Sequence, residues 1–315
     1  MPQGSASSGR NRRDGLVLGI GAYLWWGFLP LYLNLLHPAG AVEVIAHRVL
    51  WSLVACGVLL RVVHQGAALR RAVSSPRSFG LLTLCGALLV INWLTFVYAV
   101  LSGHVVDGAL GYFINPLFSV ALGVVLLHER LRPAQWVALG IAATAVVVIG
   151  VSAGHVPWIA LALALSWGFY GYTEKKVGVT VPVVAALTVE TCTMAPLAGA
   201  YVIWLGLTGG QSFTGYGTWH ALAMAGLGVV TVVPLLLFNG AARRLPLTVV
   251  GMLQYLNPTL QFLTGVFLFH EVMPPARWFG FAVVWIALVI LGVDGLRAGR
   301  VARAGRSGRR SGGWR

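Results

Sequence analysis

Charge is what this 315-residue chain has least of: 10% of its residues are Asp, Glu, Lys or Arg, against 58% hydrophobic ones. Soluble domains carry nearer a quarter charged residues, and no soluble core hides this much apolar surface, so a soluble globular fold is excluded. Lysine is almost missing. Lys175 and Lys176 are the only two, and Glu174 precedes them. The Gly-Lys-Ser/Thr of a phosphate-binding loop therefore cannot be written, which excludes ATP hydrolysis through that motif. Cysteine is scarce too. Cys56, Cys85 and Cys192 lie inside apolar runs and make neither a disulfide framework nor a metal spacing, which leaves packing as their role. Eight acidic residues face 22 basic ones, a net charge of +14. Nucleic acid would suit that balance, but seven arginines crowd into residues 297–315 and most others flank apolar runs. Basic residues beside spans orient helices and attract anionic lipid. Anionic lipid at the basic loops and tails is thus the expected partner, and nucleic acid is not.

What is present in quantity is long apolar sequence. The spacing predicts an all-α integral membrane protein with ten spans, at 15–36, 42–61, 79–101, 105–127, 134–152, 156–174, 183–206, 219–240, 246–269 and 277–296. The first run, followed by Ala39-Gly40-Ala41, imitates a signal peptide. Its apolar core exceeds the roughly 7–15 residues of such peptides, and its Trp26-Gly27-Phe28 recurs as Trp167-Gly168-Phe169, so it reads as a retained span.

That recurrence belongs to a longer one. Asn115-Pro116 leads to His128-Glu129, Pro133 and Trp136; 142 residues on, Asn257-Pro258 leads to His270-Glu271, Pro275 and Trp278. Over Gly108–Gly150 against Val250–Gly292, 13 of 43 positions match without a gap. Apolar matches come cheaply in this composition; matches at Asn, Pro, His, Glu and Trp do not. A repeat of that length is half a protein, and duplicated halves in an apolar chain mark transporters. Placing both termini in the cytoplasm puts 20 of the 22 basic residues on the inner side. Five spans per half is odd, so the second half must be inverted. Arg130 and Arg132 then face Val272 and Pro274 at the matching positions, basic residues disappearing where the loop moves outside. The expected organisation is a disordered basic N-tail (1–14), two inverted five-helix repeats (15–152 and 153–297) and a disordered Arg-rich C-tail (298–315).

Several segments resemble the EamA family of the drug/metabolite transporter superfamily, and within it the RarD-type permeases often labelled chloramphenicol-sensitive proteins. They are His47–Ser52, Asn92-Trp93-Leu94, Leu110–Leu117, Phe169-Tyr170-Gly171, Val189-Glu190-Thr191 and Val233–Leu236. The resemblance covers about residues 14–297. It implies a plasma-membrane permease for a small-molecule solute of unassigned identity, a secondary transporter with protons as a candidate coupling ion, no cofactor and no enzymatic activity.

Ionisable residues within spans are costly and face a bundle interior or water. Arg48 and Glu190 occupy equivalent positions, 142 residues apart. They lie roughly 9 Å and 12 Å in from their nearer span ends at helical rise, within reach of the midplane of a bilayer about 30 Å thick. Two readings stay open: a substrate or coupling site between the halves, or a structural ion pair locking them together in a non-transporting scaffold or sensor. Asn115 and Asn257 beside their prolines, Asn92, Trp93, Tyr112, Gln254 and Tyr255 complete the expected cavity wall. Glu43 and His47, four apart on one helix face, lie nearer the outer surface, where an entrance role and snorkelling are both open. The two His-Glu pairs fall on opposite faces, so no metal is expected at them. Gly150–Gly154 with Ser152 and neighbouring His155 matches a nucleophile elbow by chance, because that motif needs a strand before the turn.

Overall fold

In the computed structural model, residues 4–127, 133–153, 156–177, 181–242, 244–245, 253–275, 277–290 and 293 are described. His128-Glu129, Arg130, Arg132, His155, Arg243, the start of the ninth expected span and the C-tail lie outside them. Among the described residues every regular element is a helix. In chain order these are α1 (Gly4–Gly27), α2 (Leu29–Asn34), α3 (Ala41–Val62), α4 (Gly66–Ser74), α5 (Pro76–Leu101), α6 (Val105–Leu127), α7 (Pro133–Ala153), α8 (Trp158–Val177), α9 (Val183–Leu207) and α10 (Gly217–Ala242). Then follow α11 (Leu256–Leu263), which continues as a π-helical turn over Thr264–Leu268, and α12 (Arg277–Ile290).

Five stretches are long and apolar enough to cross a membrane: Arg13–Asn34, Ala41–Val62, Pro76–Leu101, Val183–Leu207 and Gly217–Phe238. Hydroxyls do not disturb the helices, because Thr95 on α5, Ser166 and Thr173 on α8, and Thr188 and Thr191 on α9 each donate to a carbonyl one turn back. Large apolar side chains such as Leu197, Ile203 and Trp204 on one flank of α9 remain exposed, a surface suited to lipid rather than water.

Two expectations change. The N-tail is helical back to Gly4, since nothing between Gly4 and Asp14 lacks a backbone donor and each added residue extends the ladder by one bond. The first span is not one helix. It breaks at Phe28, where Pro30 in the first turn of α2 supplies no N–H to continue α1. Gly27 marks the break because Leu260 of α11 fills the space beside it: a Cβ there would stand 2.6 Å from the leucine side chain.

α3 lies along α9 and α10, α5 and α6 pack on α8, and α1 packs on α10 and α11. The apolar core divides accordingly. One cluster joins α2, α3, α5, α9 and α10 around Leu33, Phe96, Val97 and Leu227. The other joins α6, α8, α11 and α12 around Phe113, Phe262 and Phe281, whose rings meet edge-on or tilted. At one rim, Glu271 reaches across to the start of α6, accepting from the Val105 N–H at 2.5 Å and the Val106 N–H at 2.9 Å. A carboxylate there satisfies donors that no helix can satisfy for itself. Burial raises the Glu271 carboxyl above its usual range, against the lowering pull of those two donors. Arg277, the basic residue on the outer flank in the predicted topology, pairs with Asp107 at 3.5 Å.

Candidate functional site

Between the two clusters lies a cavity of about 430 Å³. Arg48 projects into it from α3, 4% exposed, because α3 is buried on all sides from Glu43 to Val49. Its Nε donates to Thr231 Oγ1 at 3.0 Å, and its guanidinium lies 4.0 Å over the Trp93 ring. Among the described residues the two terminal nitrogens have no hydrogen-bond partner. A planar cation held at its base by a hydroxyl and on its face by an indole is fixed in direction, with its fork left for an anion.

The wall opposite is amide and aromatic. Tyr112 donates to Asn92 Oδ1 at 3.2 Å, and Asn92 Nδ2 donates to Leu163 O at 3.1 Å and Ser166 Oγ at 3.0 Å. Asn92 is therefore spent on tying α5 to α8. Asn115 is different: it is buried, and its Oδ1 has no partner. Gln261 repeats the pattern on α11, its Nε2 bonded to Asn257 Oδ1 at 2.8 Å while its own Oε1 is unpartnered at 1% exposure. Tyr23, Trp26 and Phe238 form an aromatic corner, with Trp167 and Tyr170 on another side.

Seven of the nine predicted site residues line this cavity: Arg48, Asn92, Trp93, Tyr112, Asn115, Gln254 and Asn257. Tyr255 does not. One residue beyond Gln254 is about 100° around a helix, and that turn directs Tyr255 onto the second apolar cluster instead. Glu190 does not line it either, and no ion pair joins it to Arg48. α3 and α9 run antiparallel, as the Glu43 contact to Ser212 beyond the end of α9 requires. Glu190 therefore lies level with Cys56, eight residues and about 12 Å farther along α3 than Arg48. Its polar neighbours are Tyr170 and Glu174, yet neither of its oxygens meets a hydrogen-bond partner in good geometry. Cys85 Sγ, a Glu174 oxygen and a Glu190 oxygen all lie within 4.8 Å of one another. Gly86 makes this approach possible: a Cβ there would stand 2.6 Å from the Glu190 carbonyl oxygen.

Glu43 and His47 do not snorkel. The Ser212 N–H donates to Glu43 Oε1 at 2.7 Å, and Phe213 stacks on the His47 ring at 4.6 Å, so the loop after α9 covers both. Sequence reasoning missed Trp26, Trp167, Tyr170, Glu174, Thr231 and Gln261. The repeated Trp-Gly-Phe carried the signal for the two tryptophans, and the four-residue step from Asn257 the signal for Gln261.

Apolar helices closing around an aromatic cavity with one directed guanidinium and unpartnered amide oxygens have the build of a solute permease. The chain belongs to the EamA-like transporter family, whose pattern it matches twice, over residues 13–151 and 156–293. It is 46% identical over 293 residues to "Protein RarD" of Streptomyces exfoliatus, covering 93% of this chain and 92% of that protein. To "Protein RarD" of Escherichia coli (strain K12) it is 36% identical over 288 residues, 91% of this chain and 96% of the other. To the "Uncharacterized transporter YojE" of Bacillus subtilis (strain 168) it is 37% identical over 281 residues, 88% and 93% respectively. A solved structure titled "Crystal structure of protein" shares the fold, with a TM-score of 0.59 at 21% identity, covering 91% of this chain and 99% of that one. The chain is accordingly a RarD-type EamA permease, a multi-pass protein of the plasma membrane.

Proposed function

We propose that this permease is a secondary transporter that carries a small organic metabolite or drug through the cavity by alternating access. The cavity is the observation that carries the reading: about 430 Å³ falls within the roughly 300–1,000 Å³ of small-molecule sites. The Arg48 fork takes an anionic group of the solute, the free Asn115 and Gln261 oxygens take its donors, and the tryptophans and tyrosines hold its apolar body. Ten spans in two inverted five-helix repeats, 15–152 and 153–297, would supply the two bundles that rock, with both termini cytoplasmic and anionic lipid at the basic loops. The two consecutive family matches support the duplication. Protons are the proposed coupling ion, with Glu190 as carrier. The scaffold reading, in which Arg48 and Glu190 are a structural pair, loses its physical basis because each faces other partners.

The test is a thermal-shift screen of metabolites and drugs on purified protein, followed by flux of the hits in proteoliposomes. A true solute at a hundred times its Kd stabilises by about 2.7 kcal/mol. Flux that is equal for wild type and folded Arg48→Ala would sink the site. Topology is tested separately: cysteine at position 130 should react from the cytoplasm alone and cysteine at position 272 from outside alone.

A further inference from the structure

An acidic cluster stands at the edge of the cavity, and its geometry calls for a role. Glu190 is 1% exposed with both oxygens unpartnered, while a Glu174 oxygen lies within 4.8 Å of it. Among the described side chains no cation faces the pair. α5 contributes Cys85, α3 contributes Cys56, and α8 contributes Tyr170 and Glu174 itself. α4, which also packs on α9, contributes Arg70 and Arg71, and both are exposed. Lys176 sits over the Tyr172 ring at 4.4 Å, and Arg48 is engaged by Thr231 and Trp93. The hydroxyls of Thr188, Thr191 and Thr193 bond to backbone carbonyls of their own helix.

Two carboxylates so close, one of them dry and without a cation, repel each other and leave acceptors unsatisfied. A proton relieves both problems at once. It bonds to one carboxyl oxygen, and the resulting O–H donates to the facing carboxylate. Glu174 lines the cavity and Glu190 lies behind it, so the proton has a wet side and a dry side.

We propose that Glu174 and Glu190 form a carboxyl pair that binds one shared proton at the cavity wall. Its use in coupling rests on the transport reading; its existence does not. The pair titrates as a unit, so Glu190 carries the proton together with Glu174. Tyr170, one helical turn before Glu174 and also on the cavity wall, is the side chain through which solute occupancy reaches the pair.

Infrared difference spectroscopy on the full chain in nanodiscs tests this without any solute. The expected result is a carboxylic C=O stretching band at neutral pH that shifts in D2O, vanishes in Glu190→Gln, and is displaced or lost in Glu174→Gln. Absence of the band, or its survival unchanged in either variant, overturns the pair. So does elemental analysis finding a stoichiometric metal ion that Glu190→Gln loses. Should Glu190→Gln not fold, Glu174→Gln at its half-buried position gives the same readout. A wild type that transports but lacks the band would sink the pair and spare the transporter; a wild type with the band and no flux would do the reverse.

Discussion

Arg48 and Glu190 stand at matching places in the two copies, each eighth in its helix, and they have been solved in opposite ways. The arginine has a hydroxyl at its base, an indole under its face and a cavity before it. The glutamate has a second acid, a thiol and a tyrosine for company, and neither of its oxygens meets a hydrogen-bond partner. Duplication preserved the depth of the charge in the bundle and not its chemistry. A buried charge at the matching depth is thus a statement about helix packing; what it binds is decided by the neighbours, which differ between the halves.

The largest effect belongs to Arg48→Ala, which removes the sole directed cation of the described cavity wall. It should cost about 1.5–3 kcal/mol of solute binding, roughly 10- to 150-fold in Kd, read by ligand-induced thermal shift. Arg48→Lys should not restore it, since an ammonium neither stacks on Trp93 nor forks. Next comes the exchange Arg48→Glu with Glu190→Arg. An ion pair would be rescued by the swap; here a double-mutant cycle on unfolding should show no favourable coupling, and recovery to wild-type stability would restore the locked-halves reading. Smaller is the contrast between two asparagines. Asn92→Ala should destabilise the empty protein by about 1–3 kcal/mol through the orphaned groups on α8, whereas Asn115→Ala should leave it nearly as stable and weaken only solute binding.

The smallest effect concerns the rim. The raised Glu271 carboxyl contributes stability that is full below its unfolded pKa and lost as pH rises through its folded one. Thermal unfolding followed as pH rises from the ordinary carboxylate range should show that decline in wild type, and Glu271→Gln should flatten it.

The sequence reached far where periodicity and duplication speak, and stopped where helix ends decide. Asn115 and Asn257 were legible because an Asn-Pro pair inside an apolar run is conspicuous and occurs once in each copy. Glu174 was not. Standing beside two lysines, it reads as a loop charge, but α8 runs on to Val177 and keeps Glu174 one turn past Tyr170 on the same face. Gln261 escaped because its counterpart in the first copy is Ser119, so the repeat offered no match. The Arg48–Glu190 partnership failed for a related reason: equivalence under duplication fixes equal depth from opposite ends, which in antiparallel neighbours is a separation. The break at Phe28 and the π turn after Leu263 depend on local backbone satisfaction, which periodicity does not encode.

Gly86 turns the spacing between two helices into a tunable quantity. Its missing Cβ is what lets α5 touch the Glu190 carbonyl, so alanine, serine and valine at this one position form a graded wedge. Each step would displace the buried acid from its neighbour without altering a single ionisable atom. Distance and charge, which every substitution at Glu174 or Glu190 changes together, could then be varied one at a time.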